Sequence, residues 1–341
     1  MSGSIATRAR SASTTPTTPS RARVALALGL VYLLWGSTYL GIKLASETIP
    51  PLLMLGVRYL IAGGVLYLWM RWRGADRPTR AQWLAGLVIA GLLLLVGNGA
   101  VGLAEQLIPT GVAALVVATV PLWMALLDWL RPGGTRPRAL ALLGLAFGFA
   151  GVVLLLGPAG LTGGARINPL GVIIVVVGAA AWAAGSLYSR SGRLPAIPLL
   201  ATAVEMLAGG VLLVLAGSVA GEWSRFHVSA ISTLSLLALA YLIVLGSLVG
   251  FTAYLWLMRN TPTAVASTYA FVNPIIAVFL GWALVGEPIT SRTLIAAAVI
   301  VAGVVVITLS NRTPGARHAA LLAAASEREP DREPAPSSAS S

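Results

Sequence analysis

The sequence predicts an all-α membrane protein: ten transmembrane helices arranged as two inverted five-helix repeats, with N- and C-termini cytoplasmic. Three observations predict this. Of 341 residues, 57% are hydrophobic and only 10% are charged, where a soluble domain carries about a quarter charged residues. Ten apolar runs reach, or nearly reach, the roughly 20 residues that a helix needs to cross a hydrocarbon core. The third is a repeat. Pro109-Thr110-x-Val112-Ala113, then Pro121 and Trp129, recurs as Pro262-Thr263-x-Val265-Ala266, Pro274 and Trp282, a shift of 153 positions.

Taken in order, the predicted spans are 24–42, 48–70, 81–104, 106–127, 139–165, 167–189, 194–221, 228–258, 260–286 and 293–311. Eight are free of charge. The second is interrupted by Arg58 and the seventh by Glu205. A transmembrane barrel would show alternating segments of about ten residues instead. Residues 1–23 and 311–341 are rich in Ser, Ala, Pro and Arg. Both are expected to be disordered cytoplasmic tails, too poor in apolar surface to fold. Residues 24–157 make the first repeat, 158–168 an external linker, and 169–310 the second repeat.

Orientation follows from the 23 Lys and Arg residues. With the N-terminus inside, Lys43, Arg166, Arg225 and Arg292 face outward and Arg58 lies within a span; the other 18 face the cytoplasm. Such a bias fixes both tails on the cytoplasmic side. Five helices per half is an odd number, so equivalent helices must cross in opposite directions. Shorter matches agree: Gly36-Ser37-x-Tyr39 with Gly185-Ser186-x-Tyr188, Ala62–Leu66 with Ala208–Leu212, and Gly151-Val152-Val153 with Gly303-Val304-Val305. Inverted repeats of this kind are the signature of secondary transporters.

Composition also excludes. There is no cysteine, and His227 and His318 are the only histidines. Disulfides, thiolate metal sites and a cysteine nucleophile are ruled out, and no metal or cofactor is expected. The net charge of +12 sits in connectors between apolar runs, as the positive-inside rule places it, so nucleic acid is not expected as a partner. No Walker-type loop is present. Gly97-x-Gly99 lies inside an apolar span and is no phosphate cradle.

Leu34-Trp35-Gly36-Ser37, Arg58 followed by Ala62-Gly63-Gly64, the two Pro-Thr-x-Val-Ala stretches, and Gly286-Glu287-Pro288-Ile289-Thr290 together resemble the EamA family of the drug/metabolite transporter superfamily. The likeness covers about residues 24–310. It implies a ten-helix inner-membrane exporter of small molecules, and names no substrate.

The expected function is secondary active transport. It would export a small metabolite or drug-like molecule by alternating access, with proton antiport or substrate exchange. An importer or exchanger of the same fold is one alternative. A membrane-embedded lipid-handling protein or enzyme is another, although the clustered acid, His or Ser residues it would need are missing. The partners are a small-molecule substrate and the lipid bilayer; monomer and homodimer both remain open.

Arg58 lies roughly 10 Å from the outer end of its span at 1.5 Å per residue. Charge at that depth must face protein, water or an interface. It reads as a binder of anionic substrate groups, a partner for a carboxylate, or a snorkelling side chain. Glu205, in the repeat-mate helix, reads as a proton-coupling carboxyl or as an ion-pair partner of Arg58. Trp35, Tyr39, Trp182 and Tyr188 are aromatic candidates for a cavity wall. Asn98, Thr119, Tyr254, Tyr269 and Asn273 are polar groups at membrane depth, suited either to a cavity or to helix–helix hydrogen bonds. Pro121 and Pro274 should kink their helices. Asp128, Glu105 and Lys43 read as interfacial. Glu287 is expected to favour the start of the last helix, and Gly144-x-x-x-Gly148 reads as a packing face.

Overall fold

The computed structural model describes residues 20–132, 139–161, 167–189, 193–261, 265 and 268–310. Residues 1–19 of the predicted first tail, the predicted tail 311–341, most of the second Pro-Thr-x-Val-Ala copy, and Arg136, Arg138, Arg166 and Arg190 lie outside the described residues. So do residues 162–166 of the predicted linker. Residues 21–23, expected in the first tail, are helical.

Among the described residues the protein is helical and has no strand. Seven helices are long and apolar enough to cross a membrane. They are α1 (Arg21–Ala45), α2 (Pro51–Trp72), α3 (Arg80–Ala104), α4 (Thr110–Leu130), α6 (Pro169–Ser189), α7 (Pro198–Val219) and α8 (Thr233–Asn260). Three further apolar helices complete the described set: α5 (Ala139–Leu161), α9 (Tyr269–Val285) and α10 (Ser291–Ser310).

Local chemistry sets the ends. Proline opens α2, α6 and α7, where a missing N–H costs nothing and φ is already helical. Thr79 and Gln82 form a reciprocal capping box on α3. The predicted eighth span begins too early. Val228–Ala230 is a short 3₁₀ turn, and α8 starts only where the Ser232 hydroxyl accepts from the Ser235 N–H.

Two helices depart from α geometry at matched places. In α3 the segment Gly91–Asn98 is π-helical, and in α8 so is Leu242–Val249. Such segments are rare and frequent at functional sites. In α4 the chain breaks between Val117 and Val120, just ahead of Pro121. Pro121 cannot donate to the preceding turn. Pro274 sits inside α9 without interrupting it.

Packing has an internal order. Helix α2 lies against α7, and α5 against α10. Helix α1 packs on α8 and α9, while α6 packs on α3 and α4. Helix α3 touches α7, and α8 touches α2. Exchanging the first five helices with the last five maps each of these pairs onto another pair in the set. Glycine permits the closest approaches. A Cβ on Gly144 would lie 2.7 Å from the Gly303 carbonyl oxygen, and one on Gly303 2.6 Å from that of Gly144. The Gly144-x-x-x-Gly148 face is therefore used within the chain, Gly144 against α10 and Gly148 against Leu122 of α4.

Candidate functional site

Two polar clusters stand out among the described residues. The first surrounds Arg58. This side chain is only 4% exposed. Its Nε donates to the Ser247 hydroxyl at 3.0 Å, and its guanidinium lies 4.9 Å from the centre of the Tyr59 ring. The buried Nη1 has no protein hydrogen-bond partner. Ser247 belongs to the π-helical segment of α8, and the neighbouring Gly246 carbonyl accepts from the Trp35 indole at 3.2 Å. The distorted turn of α8 thus offers adjacent residues to α1 and α2.

Trp35 in turn anchors an aromatic group. Its ring meets Phe251, Tyr254 and Tyr269 at centroid distances of 5.1, 5.0 and 5.1 Å. Tyr254 and Tyr269 also stack edge to face on each other. Phe251 had no place among the sequence candidates. One helical turn beyond Ser247, the partner of Arg58, would have found it, but nothing in the sequence pairs α2 with α8.

Glu205 is half-buried on α7. It makes no ion pair with Arg58; the ion pairs among the described residues are Lys43–Glu287 and Asp128–Arg131, each at 2.8 Å. Trp182 packs its ring against Gly97, one residue from Asn98 in the π-helical turn of α3. Tyr188 sits near the end of α6 and accepts from Arg193 at 3.4 Å. Neither joins the Trp35 group. Thr119 is buried and donates to the Val116 carbonyl, closing the break in α4. Asn273 is buried, and its Oδ1 has no protein partner. A groove of about 640 Å³ between α1 and α8, lined by Arg23, Leu30, Leu248, Thr252 and Trp256, includes neither Arg58 nor Glu205.

The second cluster joins the C-terminal ends of α1 and α3 to the start of α4 and the α9–α10 turn. Lys43 donates to Glu287 Oε1 at 2.8 Å. The same carboxylate accepts from the Thr110 N–H at 2.8 Å, the Thr110 hydroxyl at 2.9 Å and the Gly111 N–H at 3.3 Å. The expectation that Glu287 serves its own helix is corrected here. It caps α4, whose free N–H groups and positive dipole end favour a carboxylate. Thr290 caps α10 instead. The reason is the α9–α10 turn. Gly286 adopts φ 68° and the Glu287 N–H returns to the Gly281 carbonyl, which turns the side chain back toward α4. Burial pushes the Glu287 carboxyl up, but the bonds from Lys43 and Thr110 outweigh it and hold it below the usual range.

Glu105, expected to be interfacial, lies just past the end of α3 and is 4% exposed. Neither carboxyl oxygen has a protein hydrogen-bond partner. It lies within charge-interaction range of Lys43, Glu287 and Tyr39. Burial drives its carboxyl well above the usual range; Lys43 opposes the rise and Glu287 adds to it. Glu222 was likewise overlooked. It is buried and accepts from the Leu52 and Leu53 N–H groups at 3.2 and 2.9 Å, capping α2.

Comparison with known proteins places this architecture. The model of the EamA-like transporter family matches residues 23–157 and 169–309. The chain is 43% identical over 285 residues to the uncharacterized inner membrane transporter YedA of Escherichia coli K12, covering 83% of this chain and 90% of that protein. It is 27% identical over 293 residues to the uncharacterized transporter YvbV of Bacillus subtilis 168, covering 86% and 93%. A crystal structure with 24% identity and a TM-score of 0.56, covering 86% of this chain and all of that one, shares the fold. With both halves matched and so similar a relative, the chain belongs to the EamA-like transporter family and is a multi-pass membrane transporter of small molecules.

Proposed function

We propose that the protein is a secondary active exporter in the cytoplasmic membrane, working by alternating access between two inverted five-helix halves. Both tails would be cytoplasmic. The observation that carries this reading is the exchange symmetry of helix packing, in which α1 meets α9 as α6 meets α4. Pseudo-symmetric halves of this kind give two nearly equivalent arrangements of one bundle, one open to each side. The matched π-helical turns of α3 and α8 add to it, because they free backbone carbonyls where the halves meet.

Arg58 is the substrate-binding candidate. Its buried, unpartnered Nη1 is a donor left over after Ser247 is served, and it suits an anionic or carbonyl group on the solute. The ring group of Trp35, Tyr254 and Tyr269 would supply an apolar wall. Energy would come from proton antiport or substrate exchange, with Glu205 as the carboxyl within a span. No second function is favoured by a specific observation.

The test compares metabolites in spent medium from cells with and without the gene, followed by uptake into inverted vesicles of any solute that differs. Gene-dependent accumulation driven by an inward-acid pH gradient supports the reading. Solute movement that never exceeds its gradient under any driving force would overturn it. Cysteine labelling of the termini tests orientation, and ends on opposite faces would refute the inverted arrangement.

A further inference from the structure

A carboxyl buried without any donor is a costly place to keep a negative charge and a cheap place to keep a proton. Glu105 occupies such a place. The groups that face it are Lys43 and Tyr39 from α1 and Glu287 from the α9–α10 turn. One ammonium therefore serves two carboxyls. Glu287 has already secured it, along with two N–H groups and a hydroxyl. Glu105 has none of these.

We propose that Glu105 is a proton-binding site, and that its loss of a proton makes it compete with Glu287 for the Lys43 ammonium. In the structure's arrangement Glu105 is a neutral acid and Lys43 bonds to Glu287. When the Glu105 O–H proton passes to water, a second carboxylate appears beside the same cation. Lys43 keeps its own proton and is drawn toward Glu105. Glu287 stays ionised, held by Thr110 and Gly111. The contact that ties α1 to the α9–α10 turn and the start of α4 then loosens. Lys43, whose side chain is 30% exposed, marks the path to water. A role for this switch in coupling rests on the transporter reading; the proton site itself does not.

The experiment is pH-induced infrared difference spectroscopy on the full-length protein in lipid vesicles. The wild type should show a protonated-carboxyl band that titrates well above the ordinary glutamate value of about 4.3. Glu105→Gln should abolish the band and Glu205→Gln should leave it. Lys43→Met removes the neighbouring cation and should move the midpoint up by about one pH unit or more. Should Glu105→Gln fail to fold, Glu105→Asp and Lys43→Met carry the test. A band that survives Glu105→Gln, that vanishes in Glu205→Gln instead, or that stays put in Lys43→Met overturns the proposal. No transported solute is needed, so an unmoved band would leave the transporter reading standing, and absent solute flux would leave this site standing.

Discussion

Glu287 and Thr110 lie 177 positions apart in sequence and are joined twice, by the Thr110 N–H at 2.8 Å and by its hydroxyl at 2.9 Å. One carboxylate thereby closes the start of α4 and holds Lys43 of α1. Gly281 makes room for it, since a Cβ there would sit 2.3 Å from Glu287 Oε2.

Replacing Glu287 by Gln should destabilise the folded protein by about 1.5–3 kcal/mol at pH 7, the usual worth of a hydrogen bond to a charged group. The pH dependence has a definite sign. A carboxyl held below its ordinary value contributes stability above about pH 4.3 and loses it as pH falls through its own lowered value. Thermal unfolding in detergent should therefore show the Glu287→Gln deficit shrinking below about pH 4. A deficit independent of pH would refute the ionised cap.

Glu222→Ala removes the acceptor for two N–H groups at the start of α2. A lost cap costs about 0.5–2 kcal/mol. The melting temperature should fall, while amide exchange should quicken at Leu52 and Leu53 more than in the middle of α2.

Gly144→Leu places a side chain where Gly303 already touches. Overpacking of this kind costs about 1–3 kcal/mol. Gly64→Ala is the control, because a Cβ there meets nothing within 4 Å, and it should be neutral or stabilising. Equal losses in both variants would mean that the close approach of α5 to α10 does not matter.

Arg58→Lys keeps the charge but loses the planar fork that reaches Ser247 while leaving a second nitrogen free. Flux of the gene-dependent solute should drop at least tenfold in Arg58→Lys. Ser247→Ala, which removes only the positioning partner, should raise KM more than it lowers kcat. Unchanged flux in Arg58→Lys would assign the arginine a purely architectural role.

The helices were legible because each needs only local information: about 20 apolar residues, a proline or hydroxyl at the start, a glycine after the end. Arg58 was legible for the same reason, since a charge in an apolar run is conspicuous on its own. Glu105 was not. It lies at a helix end, where charge is ordinary, and the charges it meets, Lys43 on α1 and Glu287 in the α9–α10 turn, are far away in sequence. Glu287 was assigned to the nearest helix by proximity along the chain; the left-handed Gly286 turn sends it to α4 instead. The π-helical turns carry no composition signal beyond glycines that are common throughout. Repeat position groups Trp182 and Tyr188 with Trp35, yet Trp182 packs against Gly97 of α3 and Tyr188 meets Arg193 instead.

Because α2 is sheathed by α7 and α5 by α10, neither residues 21–161 nor residues 169–310 enclose their own greasy surfaces. Glu222 and Glu287 sharpen the point, for each closes a helix that belongs to the opposite stretch of chain. Severing the polypeptide between Leu161 and Ile167 should thus give two fragments that are each degraded when made singly. Made together, they should find one another in the bilayer and rebuild the whole.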